Sequence, residues 1–226
     1  MKQVSVVFPA LNEEETIGKV IEEVPVAEIE AMGYGVDILV VDNASTDRTA
    51  EVAAASGAWV ISEPKRGKGR AIRTAFALVE ADFIFMLDAD YTYPSVHIPE
   101  MLKLLERGCD VVMGSRLKGK RDPGSIKRFN LVGNYLLSFM ASVLYGRRVS
   151  DLCTGFWGFR REVIKSLIID AAGFDLEANM LSQVARRGYR IGEVPIGYRR
   201  RPTSSKLGSV RAGWIIGKTL LKKRFG

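Results

Sequence analysis

Several strand-length segments of this chain are apolar on both faces. VSVVFP (Val4–Pro9), VDILVVD (Val36–Asp42), DFIFMLD (Asp82–Asp88) and DVVMGSR (Asp110–Arg116) run as continuous apolar stretches instead of alternating with polar residues. A strand without a polar face must be covered on both sides, which is the signature of a parallel sheet inside an α/β layer structure. Helix-period segments separate these runs. Ile17, Val20, Ile21 and Val24 repeat at helical spacing, and NASTDRTAEVAAA, GKGRAIRTAFALV and Pro99–Arg107 read as further helices. Asn12, with Glu15 three residues on, has the pattern of an N-cap. The expectation is one α/β domain over all 226 residues, with a Rossmann-like, mostly parallel sheet flanked by helices. In such sheets ligands bind beyond the carboxyl ends of the strands. That rule draws Pro9–Glu13, Asp42 and Asp88–Asp90 towards one crevice.

The second half changes character. RLKGKRDPGSIKR is a basic loop, FDLEANMLSQVARRG a helix, YRIGEVPIGY a strand and RRRPTSSK a second basic loop. Leu131–Leu144 places Asn134, Ser138 and Ser142 on a helical repeat among apolar residues. That suits a helix lying in a membrane interface, and a buried core helix is the competing reading. In Val210–Phe225, Trp214, Ile215, Leu220 and Leu221 accompany Arg211, Lys218, Lys222, Lys223 and Arg224, a basic amphipathic pattern attracted to an anionic surface. These are the expected C-terminal, membrane-surface helices.

Charge narrows the partners. A net charge of +7 favours an anionic ligand or surface. Nucleic acid fits poorly, because no nucleic-acid motif is present and the acidic strand ends would repel a polyanion. Cys109 and Cys153 lack metal-type spacing and read as free thiols of a reducing compartment. The N-terminus has no signal-peptide pattern, and no stretch reaches the roughly 18–20 apolar residues of a spanning helix. The expected location is the cytoplasm, peripheral on the cytoplasmic face of a membrane.

Asp88 and Asp90 carry the chemistry. Two carboxylates at i and i+2 beyond a buried strand repel each other unless a cation or a proton intervenes. Oxygen ligands of this kind suit Mg²⁺ or Mn²⁺, which retain waters and substrate phosphates. A bare D-x-D can also be a polar turn, so its position among other acidic strand ends decides the reading.

Taken in order, VVFPALNEEETI, VVDNASTD, GKGRAIRTAF, FMLDADYTYP, VMGSR, DLCTGFWGFRREV and EVPIGYRRRPTSSKL resemble the family-2 inverting glycosyltransferases of GT-A fold. The nearest likeness is to the polyprenyl-phosphate group, which includes the dolichyl-phosphate mannose, glucose and N-acetylglucosamine synthases. The resemblance implies metal-dependent, inverting transfer of a sugar from a nucleoside diphosphate to a polyprenyl phosphate. It divides the chain into a nucleotide-sugar half, 1–115, and an acceptor half facing the membrane, 116–226. Pro9, Ala10 and Glu13 would line the nucleoside pocket, Asp42 would contact the base or ribose, and Lys68 and Gly69 would lie near the nucleotide. Asp88, Ala89 and Asp90 would hold the metal against the diphosphate. Arg116, Arg128, Arg200 and Lys206 would hold the acceptor phosphate, and Asp90 with the three arginines would be the catalytic set. Asp151 and Glu177 also match family positions, Glu177 as a structural partner of an acceptor-site arginine.

Three positions depart from the family pattern. Asn43 stands where a second aspartate is common, Thr203 stands where the R-x-x-G-x-S-K pattern has glycine, and Thr92 stands where mannose-transferring relatives carry Gln. DADYTYP leans towards a UDP-sugar and leaves GDP-mannose open. A phosphate monoester has its second pKa at about 6, so the acceptor is already an anion and needs no protein base. A chain with the single histidine His97 and many arginines fits that requirement. The alternative, a saccharide acceptor at the same donor site, would need a general base.

Overall fold

The computed structural model describes residues 1–171, 173–202 and 209–226. The first half alternates β1 (Lys2–Ala10), α1 (Ile17–Glu22), α2 (Val26–Ala31), β2 (Tyr34–Asp42), α3 (Thr49–Ala55), β3 (Trp59–Ser62), α4 (Lys68–Leu78) and β4 (Phe83–Met86). After a 3₁₀ turn at Ser95–His97 come α5 (Ile98–Glu106), β5 (Val111–Ser115), α6 (Arg128–Tyr145) and β6 (Trp157–Arg160). The chain continues with α7 (Arg161–Ser166), α8 (Leu176–Arg186), β7 (Ile191–Pro195) and α9 (Ser209–Phe225).

The strands form one sheet in the order β3-β2-β1-β4-β6-β5-β7. The strands recognisable as apolar runs are parallel to their like: β1 pairs with β2 and β4, β2 with β3, and β5 with β7. The antiparallel element is β6, wedged between β4 and β5. It joins the β3-β2-β1-β4 and β5-β7 parallel sets into a single sheet.

Both faces of the sheet are covered, as apolar strands require. Val7, Leu39, Val41, Ile84 and Met86 point into a core shared with Ile72 of α4, Val163 of α7 and Leu181 of α8. Val4, Val6, Phe8, Val40 and Phe85 point the other way, against Ile17 and Val20 of α1, Ile29 of α2 and Leu105 of α5. The period-two alternation is therefore present, with apolar residues at both phases.

Asn12 does not cap α1. That helix starts at Ile17, and Asn12 takes a left-handed φ of 51°. Its backbone N–H donates to Ser45 Oγ (2.9 Å), and its Oδ1 accepts from Thr46 N–H (2.8 Å). The side chain that resembled a local cap instead ties the β1 exit to the β2 exit, which sets the width of the crevice.

The Leu131–Leu144 segment is helical, with its polar residues facing inward. Ser138 is buried and its Oγ accepts the Leu152 N–H (2.9 Å). Ser142 Oγ accepts the Val149 N–H (3.1 Å). Phe129, Val132, Leu136, Phe139 and Val143, one stripe at helical spacing, are each 65–67% exposed. Neighbouring α9 lies along α6: Tyr145 Oη donates to Leu220 O (2.8 Å), and Gly217 faces Leu137 and Met140. Val210, Trp214, Leu221 and Phe225 of α9 are exposed, beside exposed Arg211, Lys218, Lys222 and Arg224. Among the described residues no helix is long and apolar enough to cross a membrane.

Candidate active site

The carboxyl ends of β1, β2 and β4 bring the predicted donor residues together. Pro9 and Ala10 close β1, and in the register of the parallel pair Ala10 stands beside Asp42 at the end of β2. Among the described residues Asp42 Oδ1 is buried with no hydrogen-bond partner. A buried, unpaired carboxylate oxygen is costly unless a ligand donor meets it. Asn43 has structural work: Nδ2 donates to Glu63 O (3.2 Å) and Lys65 O (2.8 Å), and Oδ1 accepts from Gly67 N–H. An aspartate there would lose both donors, which explains the departure from the family pattern.

Asp88 and Asp90 follow β4 on a tight turn. Tyr91 carries a left-handed φ of 63°, and Thr92 braces the turn by donating from its N–H (3.2 Å) and Oγ1 (2.5 Å) to Asp90 Oδ1. Thr16 Oγ1 donates to Ala89 O (2.9 Å), fixing the turn to the start of α1. Gly155 makes room for the other carboxylate, since a Cβ there would stand 2.3 Å from Asp88 Oδ2. Burial first, and the Asp88 charge second, push the Asp90 carboxyl above the ordinary range, against Thr92 and Arg201.

Each carboxylate has a protein cation. Lys68, in the first turn of α4, bridges Asp88 Oδ1 (2.6 Å) and Glu177 Oε1 (2.7 Å). Burial alone would lower the pKa of Lys68, but the two carboxylates overcome it and hold the ammonium charged, above its ordinary value. Glu177 thus serves Lys68, a correction to its expected pairing with an acceptor-site arginine. Arg201 reaches Asp90 Oδ2 (3.2 Å) and Glu13 Oε1 (2.6 Å). Gly69 is buried in the same first turn of α4.

Whether a metal fits follows from this donor set. Among the described residues no three His, Cys, Asp or Glu side chains cluster as a ligand set. Two carboxylates one residue apart beyond β4 offer an Mg²⁺ or Mn²⁺ ion part of its shell, with phosphate and water oxygens left to complete it, which is how such ions are commonly bound. Asp88 and Asp90 fit that requirement.

The predicted acceptor residues divide. A cavity of ≈ 450 Å³ opens between the 124–127 loop, the first half of α6 and the start of α9. Arg116, Arg200 and Arg201 line it together with Phe129, Leu137 and Ile216. Arg116 is 6% exposed, gripped by Asp151 through Nε (2.8 Å) and Nη2 (2.7 Å), with its guanidinium 5.1 Å from the Tyr198 ring centre. Arg128 is exposed at the start of α6 and does not line this cavity; Lys127 does. Lys206 lies outside the described residues. Cys153 also lines the cavity, its thiol pushed up to about 12 by burial, so it stays protonated at neutral pH. His97 accepts the Gly197 N–H (3.0 Å), a structural role.

Sequence reasoning missed Gly155 and Arg201. Gly155 sits in the quoted DLCTGF segment, but nothing local marks which glycine a distant carboxylate needs. Arg201 was visible only as one of three neighbouring arginines.

The Glycosyl transferase family 2 profile matches residues 5–168. The dolichyl-phosphate hexose transferase of Haloferax volcanii is 36% identical over 219 residues, covering 96% of this chain and 92% of that protein. The low-salt glycan biosynthesis hexosyltransferase Agl6 of the same organism is 39% identical over 212 residues, 93% of this chain. The chain spans only about half (51%) of that relative's length. Among solved structures, glucosyl-3-phosphoglycerate synthase from Mycobacterium tuberculosis with phosphoglyceric acid superposes with a TM-score of 0.80 at 26% identity. That match covers 99% of this chain and 80% of the other. The same enzyme with Mn²⁺, UDP and glucosyl-3-phosphoglycerate gives a TM-score of 0.80 at 25% identity, with the same coverage.

Proposed function

Because the chain belongs to glycosyl transferase family 2, and is therefore a glycosyltransferase, we propose that it transfers one sugar, with inversion, from a nucleoside-diphosphate sugar to a dolichyl-type polyprenyl phosphate. A UDP-sugar is the favoured donor. Residues 1–115 supply most of the donor site and 116–226 the acceptor site, with Lys68–Glu177 and Arg201–Asp90 crossing between them.

One observation carries the acceptor. The cavity is lined by arginines and by apolar side chains, and it opens beside α6, whose outer stripe is apolar and exposed. A molecule with a phosphate head and a hydrocarbon tail matches that combination of surfaces. Arginine suits the head because its planar fork binds phosphate oxygens in pairs.

In this reading Asp42 Oδ1 accepts an N–H of the nucleobase, while Pro9, Ala10 and Glu13 wall the nucleoside. Asp88 and Asp90 hold Mg²⁺ or Mn²⁺, which supplies positive charge against the leaving diphosphate. Arg200, with Arg116 behind it, orients the acceptor phosphate for attack on the anomeric carbon from the face opposite the diphosphate. No protein base is required, since the nucleophile arrives ionised.

A donor panel of UDP-glucose, UDP-N-acetylglucosamine and GDP-mannose tests this, with Mn²⁺ and a short polyprenyl phosphate, following labelled sugar into organic extract. Metal-dependent lipid product with one donor is expected. Product only with phosphoglycerate or a saccharide as acceptor would overturn the lipid reading.

The same reading places α6 and α9 on the cytoplasmic face of a membrane as a peripheral attachment. Leu136→Glu with Phe139→Glu should weaken binding to anionic vesicles, read by sedimentation, by at least about a hundredfold, from two apolar side chains at ~1.5–3 kcal/mol each. Their exposure means that the fold should tolerate the change. Undiminished vesicle binding would move the membrane contact off α6.

A further inference from the structure

Three consecutive arginines have three different sets of contacts. Arg199 is an anchor: it pairs with Glu23, lies 4.4 Å over the Tyr91 ring, and donates its backbone N–H to Thr92 O (2.9 Å). Arg200 lines the acceptor cavity, with its backbone N–H on Asp122 Oδ2 (3.1 Å). Arg201 does two things at once. It lines that same cavity, and its guanidinium bridges Glu13 and Asp90 in the donor crevice.

We propose, building on the donor and acceptor assignment above, that Arg201 is a displaceable counter-ion that couples the two sites. In the ligand-free protein it neutralises Asp90. On donor loading it leaves Asp90 and presents its charge to the acceptor phosphate in the cavity it already lines, so the donor prepares the site for the lipid.

Charge balance argues for Arg201 over Lys68 as the group that moves. Lys68 has Glu177 at 2.7 Å and keeps a full partner when Asp88 turns away from it. Arg201 pairs with Glu13 and Asp90, both in the proposed donor site, so the donor competes for these two contacts. A divalent ion beside Asp90 would also stand next to a guanidinium 3.2 Å from that carboxylate, and like charges that close repel strongly in a partly buried crevice. The anchor two residues earlier lets the side chain swing while Tyr198 and Arg199 stay fixed to Lys120 and Thr92.

Mn²⁺ alone is the first probe, followed by electron paramagnetic resonance without nucleotide, in wild type, Arg201→Gln, Arg201→Lys, Arg200→Gln and Asp90→Asn. Arg201→Gln should bind Mn²⁺ about tenfold more tightly, because the ion no longer displaces a cation. Arg201→Lys and Arg200→Gln should stay near wild type. Binding lost in Asp90→Asn but not tightened in Arg201→Gln overturns the counter-ion alone. Mn²⁺ binding unaffected by Asp90→Asn overturns the metal assignment and the counter-ion together.

Geranyl phosphate is the second probe, by calorimetry with and without Mn²⁺ and UDP. Wild type should bind it at least about fivefold more tightly when Mn²⁺ and UDP are present, and Arg201→Gln should lose that dependence. Equal affinity in both conditions for wild type overturns the coupling. No binding in any condition overturns the acceptor assignment, and the coupling with it.

Discussion

Replacing Asp90 with Asn should lower metal-dependent sugar transfer by about a thousandfold, the upper part of the range for losing one preorganised electrostatic group, while leaving the fold at least as stable. The two halves of that expectation have separate causes. Activity falls because Asn offers a neutral oxygen where a hard cation needs an anionic one. Stability holds because Oδ1 of Asn can still accept from Thr92 N–H and Oγ1, the contacts that shape the turn. The sign of the charge effect points the same way. Burial and Asp88 raise the Asp90 pKa in the folded, ligand-free protein. A carboxyl raised in this way binds its proton more readily folded than unfolded, so its ionisation costs stability at neutral pH. Asn never ionises and avoids that cost, though it gives up the Arg201 contact. Initial rates against Mn²⁺ concentration, with a thermal melt in the absence of metal, separate the two effects. Near-wild-type turnover at any Mn²⁺ concentration would remove Asp90 from the mechanism.

How much of this was readable from the chain depends on whether the cause is local. Strands β1, β2, β4 and β5 announce themselves because they are covered on both faces, and their apolar runs leave few alternatives. Strand β6 does not. It is four residues long and contains Gly158, where a Cβ would come within 2.6 Å of the Phe85 ring. A glycine there reflects the neighbouring strand, which no local pattern reveals. Asn12 shows the opposite failure. Asn followed by Glu at the third position has the form of a capping box, yet Asn12 bonds a loop more than thirty residues away. Local propensity was outweighed by tertiary hydrogen bonding.

The site divides along the same line. Asp88 and Asp90 were legible because a strand end is the one place in such a sheet where two charges have room for a ligand. The cations that hold them were not. Lys68 meets Glu177 and Arg201 meets Glu13 only after the sheet has closed, at sequence separations of 109 and 188 residues. The inward-facing serines of α6 were visible as a helical repeat, but choosing between core and surface required knowing which stripe the protein covers. The serines are inside, and the apolar stripe is outside.

Arg116 sharpens the problem of telling a binding residue from a structural one, and Asp151→Ala addresses it. That substitution should destabilise the protein by about 3–5 kcal/mol, because it leaves a buried guanidinium without its carboxylate. The melting temperature should fall by roughly 6–20 °C for a chain of this size. The cost is large because Asp151 holds Arg116 at Nε, Nη2 and the backbone N–H, and because the Tyr93 and Tyr198 rings keep water from replacing it. A melt within a degree or two of wild type would show the pair to be solvated and its burial misjudged. Arg116→Ala alone cannot distinguish the roles, since it strands Asp151 just as badly. The double variant Arg116→Met with Asp151→Leu can, because well-packed apolar residues often replace a buried ion pair at little cost. It should recover most of the lost stability. If the folded double variant still binds the nucleotide but no longer uses the polyprenyl phosphate, Arg116 reaches the acceptor. If acceptor use returns with stability, Arg116 is a strut, and the phosphate depends on Arg200 and Arg201, which line the same cavity.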